Sequence, residues 1–183
     1  MKTNQRICIL LIAVAITIFA GCAPNKSPAE QLAEKNKAIV TQIYKAFNAN
    51  DWNTLQTMLT PEFVDHNPAP GQKPGFEGVK EVFAQMSSAF PDMKMEVQEI
   101  IAEGDFVCAR IYFSGTQKGE FMGMPSTGKS FKTDGYDFVR LVNGKVAERW
   151  GISNDMSMMM QLGMMPMPAP APNAKGKEMK EKK

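Results

Sequence analysis

The sequence predicts an α+β protein in which three N-terminal helices cover one face of a curled antiparallel sheet. Three observations carry this reading. Helical periodicity comes first and strand alternation last, an order that excludes an alternating βαβ plan. Asn143-Gly144 lies between two alternating apolar runs, and both residues tolerate the positive φ that a two-residue hairpin turn needs. Long strands that follow one another directly form a meander, which must twist and be covered on one side.

The chain opens with Lys2 and Arg6, then an uncharged apolar run from Ile7 to Phe19 that is short for a membrane span. Small residues lead from it into Cys22, a pattern that resembles a bacterial lipobox. Residues 1–21 are expected to be a lipoprotein signal peptide, with lipid carried on Cys22, and residues 22–29 a tether. The alternative is an uncleaved anchor helix. Either way the domain is exported and held at a membrane. Ala23 rather than Asp after the cysteine implies outer-membrane sorting where there are two membranes.

Residues 30–163 form the expected domain. Ser27-Pro28-Ala29-Glu30 makes a capping box with proline at the first helical position. Leu32, Ile39, Val40, Ile43, Tyr44 and Phe47 follow at helical spacing, to an end near Asn48. Asp51 caps a short helix with Trp52, Leu55, Met58 and Leu59 buried, stopped by Pro61. Phe63 to His66 reads as extended, and Asn67 to Gly71 as a loop. A third helix spans about Phe76 to Ala89. Met93 to Ala102 alternates but slips phase at Ile100-Ile101, which predicts a bulge near Glu99. Glu103-Gly104-Asp105 turns into a strand from Phe106 to Thr116. The Gly119 to Gly128 loop leads to strands at about Ser130 to Val142 and Lys145 to Ser153. Asn154 or Asp155 caps a last helical turn that ends at Gly163. Residues 164–183, rich in Met, Pro and Lys, are expected to be a disordered tail.

Charge and cysteine content narrow the function classes. The chain has 21 Lys+Arg and 19 Asp+Glu. Removing Lys2 and Arg6 leaves a near-neutral protein, with no clustered basic face of the kind that nucleic acid requires. Cys8 falls in the signal and Cys22 takes lipid, so Cys108 has no partner for a disulfide inside the domain. One histidine and one free thiol cannot build a zinc site.

Several stretches together are similar to one family. They are Phe63-Val64-Asp65-His66-Asn67-Pro68, Phe90-Pro91-Asp92-Met93, Ile101 to Asp105, Gly119 to Gly128, and Asn143-Gly144-Lys145-Val146-Ala147-Glu148-Arg149-Trp150-Gly151. In order and spacing they resemble the SnoaL-like polyketide cyclases and ester cyclases of the nuclear transport factor 2-like superfamily. The resemblance implies a cone-shaped barrel with one deep apolar pocket. It also implies an acid/base reaction without metal or organic cofactor, such as aldol closure of an anthracycline-type methyl ester. Aligned this way, the catalytic aspartate of those cyclases falls on Gly151, their pocket histidine on Asp137, and their pocket asparagine on Asn67. The superfamily often forms homodimers through the open sheet face, which Tyr136 and Phe138 would suit.

Two catalytic candidates result. His66, the one histidine, is suited to general base work; the alternative is a loop histidine held by backbone or by Asp65. Asp137 is either a pocket acid or one half of an ion pair with Arg110 or Arg149. The two would make an acid/base couple if they meet. Asn67, Asp65, Tyr112, Phe131 and Trp150 are candidates for contacting ligand, although aromatics in such strands equally suit packing. The methionines from Met156 to Met167 suggest either soft ligands for Cu(I) or an apolar cover. The expected partner is a small hydrophobic molecule. The readings left open are a cofactor-independent enzyme, a ligand-binding module, and a dimer-forming module.

Overall fold

A computed structural model describes residues 26–166. The signal segment, Cys8, Cys22 and the tail from residue 167 lie outside them. The chain runs α1 (Pro28–Asn48), α2 (Trp52–Met58), β1 (Leu59–Asp65), α3 (Gly75–Ala89), β2 (Lys94–Glu103), β3 (Phe106–Thr116), β4 (Ser130–Val142), β5 (Lys145–Ser153) and α4 (Asp155–Leu162).

The caps act as the sequence predicts. Ser27 Oγ accepts from the Glu30 amide at 3.2 Å, and Glu30 Oε2 accepts from the Ser27 amide at 2.6 Å. Asp51 caps α2 and Asn154 caps α4, while Gly163 closes α4 at φ 75°. Two asparagines on α1 do more than the periodicity indicates. Buried Asn36 donates to the Gly104 carbonyl at 2.9 Å, and Asn48 both donates to and accepts from the Met95 backbone at 2.7 and 2.9 Å. They pin the helix to both ends of β2.

The sheet order is β1-β5-β4-β3-β2. Three neighbouring pairs are antiparallel, but β1 runs parallel to β5, so the sheet is mixed where an antiparallel one was expected. β1 also begins at Leu59, four residues before the extended segment that was expected, and Pro61 lies within it. Proline has no N–H to give to a ladder and is tolerated here because β1 is an edge strand whose register is irregular between Leu59 and Val64. The slip in β2 is real: Gln98 is the extra residue between the pairs Val97–Ile111 and Glu99–Arg110. Asn143 and Gly144 take φ of 51° and 76°, the double positive φ of the predicted turn.

Alternation on the strands sends Val107, Ala109, Ile111, Val139, Leu141 and Val146 inward against Val40, Ile43, Tyr44, Leu55, Phe63 and Val79. A second, smaller core joins Ala89, Phe90, Phe131, Met158 and Leu162. Among the described residues no helix covers the outer face, which leaves Ile101 and Ile152 about 70% exposed, with Phe106, Tyr136 and Phe138 also at the surface.

One glycine reverses an ordinary rule. Alanine inside a helix is normally favoured over glycine by about 1 kcal/mol. At Gly78, within α3, an added Cβ would lie 1.7 Å from the Lys73 carbonyl oxygen. That neighbour is backbone and cannot simply rotate away. Gly78→Ala is therefore expected to destabilise by about 1–3 kcal/mol, read as a lower urea midpoint; a raised midpoint would contradict this packing.

Candidate functional site

The inner face carries one charged cluster within its apolar wall. Asp137 on β4 is 8% exposed. Its Oδ2 accepts from the Tyr44 hydroxyl at 2.7 Å, and its Oδ1 lies 2.7 Å from Arg149 Nη2. Arg149 Nη1 reaches Asp65 at 3.0 and 3.2 Å. Asp65 also accepts from the Asn67 amide at 3.1 Å and from Gln72 Nε2 at 3.3 Å. Register explains the meeting. Asp65 on β1 pairs with Arg149 on β5, and Asp137 pairs with Gly151, two residues further along β5 and so on the same face as Arg149.

Gly151 makes the arrangement fit. A Cβ there would stand 2.0 Å from Arg149 Nη2 and 2.3 Å from Cζ. The guanidinium thus occupies the volume into which a side chain at 151 would project. The resemblance noted in the sequence implies this same position for the catalytic aspartate of the cyclases.

The electrostatics follow from burial and neighbours. Burial, then the negative charge of Asp137 and the hydrogen bond to it, push the Tyr44 hydroxyl far above the usual phenol range, so it remains a protonated donor. For Arg149 burial acts against the charge, but Asp137 and Asp65 outweigh it and the guanidinium is held protonated more firmly than usual. The cluster offers a carboxylate with a phenol on one side and a cation on the other. Among the described residues, no three His, Cys, Asp or Glu side chains gather as a metal site.

His66 does not join this cluster. Its amide donates to the Arg149 carbonyl at 2.8 Å, one step past Asp65, and the period of two turns its ring to the outer face. There His66 Nε2 meets Glu148 Oε2 at 2.7 Å, and the ring stacks on Trp150 with centroids 4.3 Å apart. Arg140 Nε donates to Glu148 Oε1 at 2.7 Å. The His66 contact, and then Arg140, hold the Glu148 carboxyl below the usual range. The expected His66–Asp137 couple is therefore corrected: the two residues sit on opposite faces of the sheet.

The other candidates divide the same way. Asp65 belongs to the inner cluster, and Asn67 touches it through its backbone. Trp150 lies on the outer face beside Phe138, and Tyr112 lies there too, under Arg110 and Lys132. Phe131 is buried in the second core, edge-on to Phe90 and Phe113. Met158 is buried with it, which makes this methionine a packing residue. Clefts of about 430 Å³, at Asn36, Asp105 and Asn143, and about 390 Å³, at Ile101, Phe106 and Phe138, both lie away from Asp137.

Two members of the cluster were not singled out by sequence reasoning as site residues. Tyr44 fell within the apolar stripe of α1, yet a buried tyrosine hydroxyl needs a partner, and that was the available signal. Gln72 sits in a loop with no pattern. A third polar residue, Gln117, is fully buried and ties down the loop after β3, donating to the Gly119 and Pro125 carbonyls and accepting from Thr127.

Comparison with known proteins agrees with this architecture. Residues 37–162 match the family model described as SnoaL-like polyketide cyclase. An aklanonic acid methyl ester cyclase of Streptomyces peucetius is 28% identical over 131 residues, covering 68% of this chain and 88% of its own. The structure of IdmH from Streptomyces antibioticus, assigned as a polyketide cyclase, is 34% identical, with TM-score 0.64 over 70% of this chain and 98% of its own. AclR from Streptomyces galilaeus, assigned as a hydroxylase, is 28% identical, with TM-score 0.66 over 75% of this chain and 86% of its own. Fold, strand order and this match over most of the described residues lead to one conclusion: the chain belongs to the SnoaL-like polyketide cyclase family.

Proposed function

We propose that the domain binds a small, mainly hydrophobic molecule on its inner face and performs cofactor-free acid/base chemistry of the cyclase or isomerase type, with Asp137 as the proton-exchanging group. The single observation that carries this is a carboxylate set in an apolar interior, bonded to Tyr44 on one oxygen and to Arg149 on the other. A buried carboxylate with specific hydrogen-bond and charge partners is a candidate for a functional group. The relative named as an aklanonic acid methyl ester cyclase supports the substrate class, but a fold alone does not fix a reaction, and AclR carries a different assignment, that of a hydroxylase. The N-terminal segment supports export and membrane attachment through lipid on Cys22.

The test is native mass spectrometry on the mature chain purified from its own host. A small organic molecule is expected on the wild type, lost in Asp137→Asn and kept in His66→Ala, with the added mass of lipid at Cys22. An empty protein in all three would overturn the ligand-binding reading, and an unmodified Cys22 the lipoprotein reading.

A second reading has its own observation. The outer face, which no described helix covers, exposes Ile101, Phe106, Tyr136, Phe138 and Ile152 together, which suits a homodimer formed across the sheet. The same spectra decide it, since a dimer shows at twice the chain mass.

A further inference from the structure

The geometry points to the cleft between α1 and the two hairpin turns as a binding site for a zwitterionic headgroup, a primary ammonium joined to a phosphate ester, as in a phosphoethanolamine lipid. The site is separate from the inner-face cluster. Only the membrane as the source of its ligand rests on the lipoprotein reading above.

The cleft measures about 430 Å³ and is lined by Leu32, Lys35 and Asn36 of α1, Asp105 of the β2–β3 turn and Asn143 of the β4–β5 turn. Asn36 supplies the first observation. It is only 2% exposed. Its Nδ2 donates to the Gly104 carbonyl at 2.9 Å, and no donor among the described residues reaches its Oδ1. No buried side-chain oxygen or nitrogen among them goes unpartnered, so this Oδ1 is open, and it opens into the cleft that Asn36 lines. A fixed acceptor in a recess calls for a donor from outside.

Two uncompensated charges of opposite sign come second. Lys26 and Lys37, on the same stretch of chain, both pair with Glu34. Lys35 and Asp105 both line the cleft, yet among the described residues they pair neither with each other nor with another charge. Asp105 is engaged through its backbone, whose carbonyl accepts from the Leu141 amide at 2.8 Å. A plain anion or a plain cation would neutralise one of these charges and leave the other. A primary ammonium has three N–H donors, enough for the Asp105 carboxylate and Asn36 Oδ1 together, and an anionic group beside it suits Lys35. A trimethylated ammonium has no N–H and cannot serve Asn36.

Position is the third observation. Cys22 stands six residues before Pro28, a reach of at most about 20 Å. Lys35 lies about 11 Å further along α1. The loop after β3 is at the other end of an eleven-residue strand, about 35 Å from Phe106. Lipid on Cys22 would therefore hold the end of the domain that carries the cleft against the headgroups.

The experiment uses the mature chain with Cys22→Ser, so that no covalent lipid contributes. It is added to vesicles of phosphatidylglycerol mixed with either phosphatidylethanolamine or phosphatidylcholine at equal surface charge, and separately to soluble glycerophosphoethanolamine followed by 15N NMR. The ethanolamine vesicles are expected to bind roughly 10-fold more tightly than the choline vesicles, the size of one charge-assisted hydrogen bond. The soluble headgroup should shift the Asn36 side-chain amide and the Asp105 backbone amide. Asp105→Asn should abolish the preference for ethanolamine, and Lys35→Gln should weaken both vesicle types; both residues are exposed, so neither change threatens the fold. Shifts from the soluble headgroup without a vesicle preference keep the site and overturn the membrane as its source. Unmoved Asn36 and Asp105 resonances, or an ethanolamine preference that survives Asp105→Asn, overturn the site. The lipid mass at Cys22, read on the unaltered chain, decides the lipoprotein reading separately.

Discussion

Arg149→Met is expected to lower the unfolding free energy by about 2–4 kcal/mol, a large share of the roughly 5–15 kcal/mol that holds a typical domain folded. The substitution keeps much of the side-chain volume but leaves Asp137 and Asp65 facing each other without a cation. Breaking a buried pair from one side costs more than the pair contributes, because an uncompensated charge remains behind. The loss falls toward the lower end because the Arg149 side chain is about a third exposed and water partly screens its charge. Urea unfolding of the single variant measures the loss. Adding Asp65→Asn and Asp137→Asn to Arg149→Met should recover part of it by removing the stranded charges. A single variant as stable as wild type would show that the cluster is not structurally coupled.

Phe90→Ala is expected to cost about 3–5 kcal/mol, the range for removing a fully buried aromatic side chain. Phe90 is completely buried and meets both Phe121 and Phe131 edge-on at about 5 Å. It is the centre of the smaller core, which joins the end of α3 to α4 and to the loop after β3. The amides of Lys118 and Gly119 both donate to the Ala89 carbonyl, one residue away. Hydrogen exchange should therefore accelerate at Lys118, Gly119 and along α4 beyond the amount set by global destabilisation, while Val40 and Tyr44 on α1 follow the global change alone. Uniform acceleration across both regions would mean that the two cores unfold as one unit.

The sequence showed much of the fold and little of the site, for a physical reason. The Ser27–Glu30 capping box, the Asn143-Gly144 turn and the phase slip in β2 are local signals, and each depends on residues within a few positions of one another. The parallel pairing of β1 with β5 joins segments more than eighty residues apart and leaves no local trace, and Pro61 argued against a strand that begins at Leu59. The site depends on that same pairing. It brings Asp65 to Arg149, and by sending alternate residues to alternate faces it parts His66 from Asp137. Asp137 was recognised as a carboxylate in an apolar strand and Arg149 as one of two ion-pair partners. That Gly151 makes room for the arginine required the position a Cβ would take there, within 2.0 Å of the guanidinium.

Pro61 has a consequence for solubility. A sheet that is not closed into a barrel ends in two strands whose free backbone can recruit further strands, from another copy or from a misfolded chain. Here both outermost strands resist this. On β1 a residue without an amide hydrogen breaks the row of donors. On β2 the extra residue Gln98 interrupts the spacing, and Lys94, Glu96 and Glu99 place charge along the strand. Copies crowded at high local density should therefore associate through faces rather than fuse edge to edge into fibres.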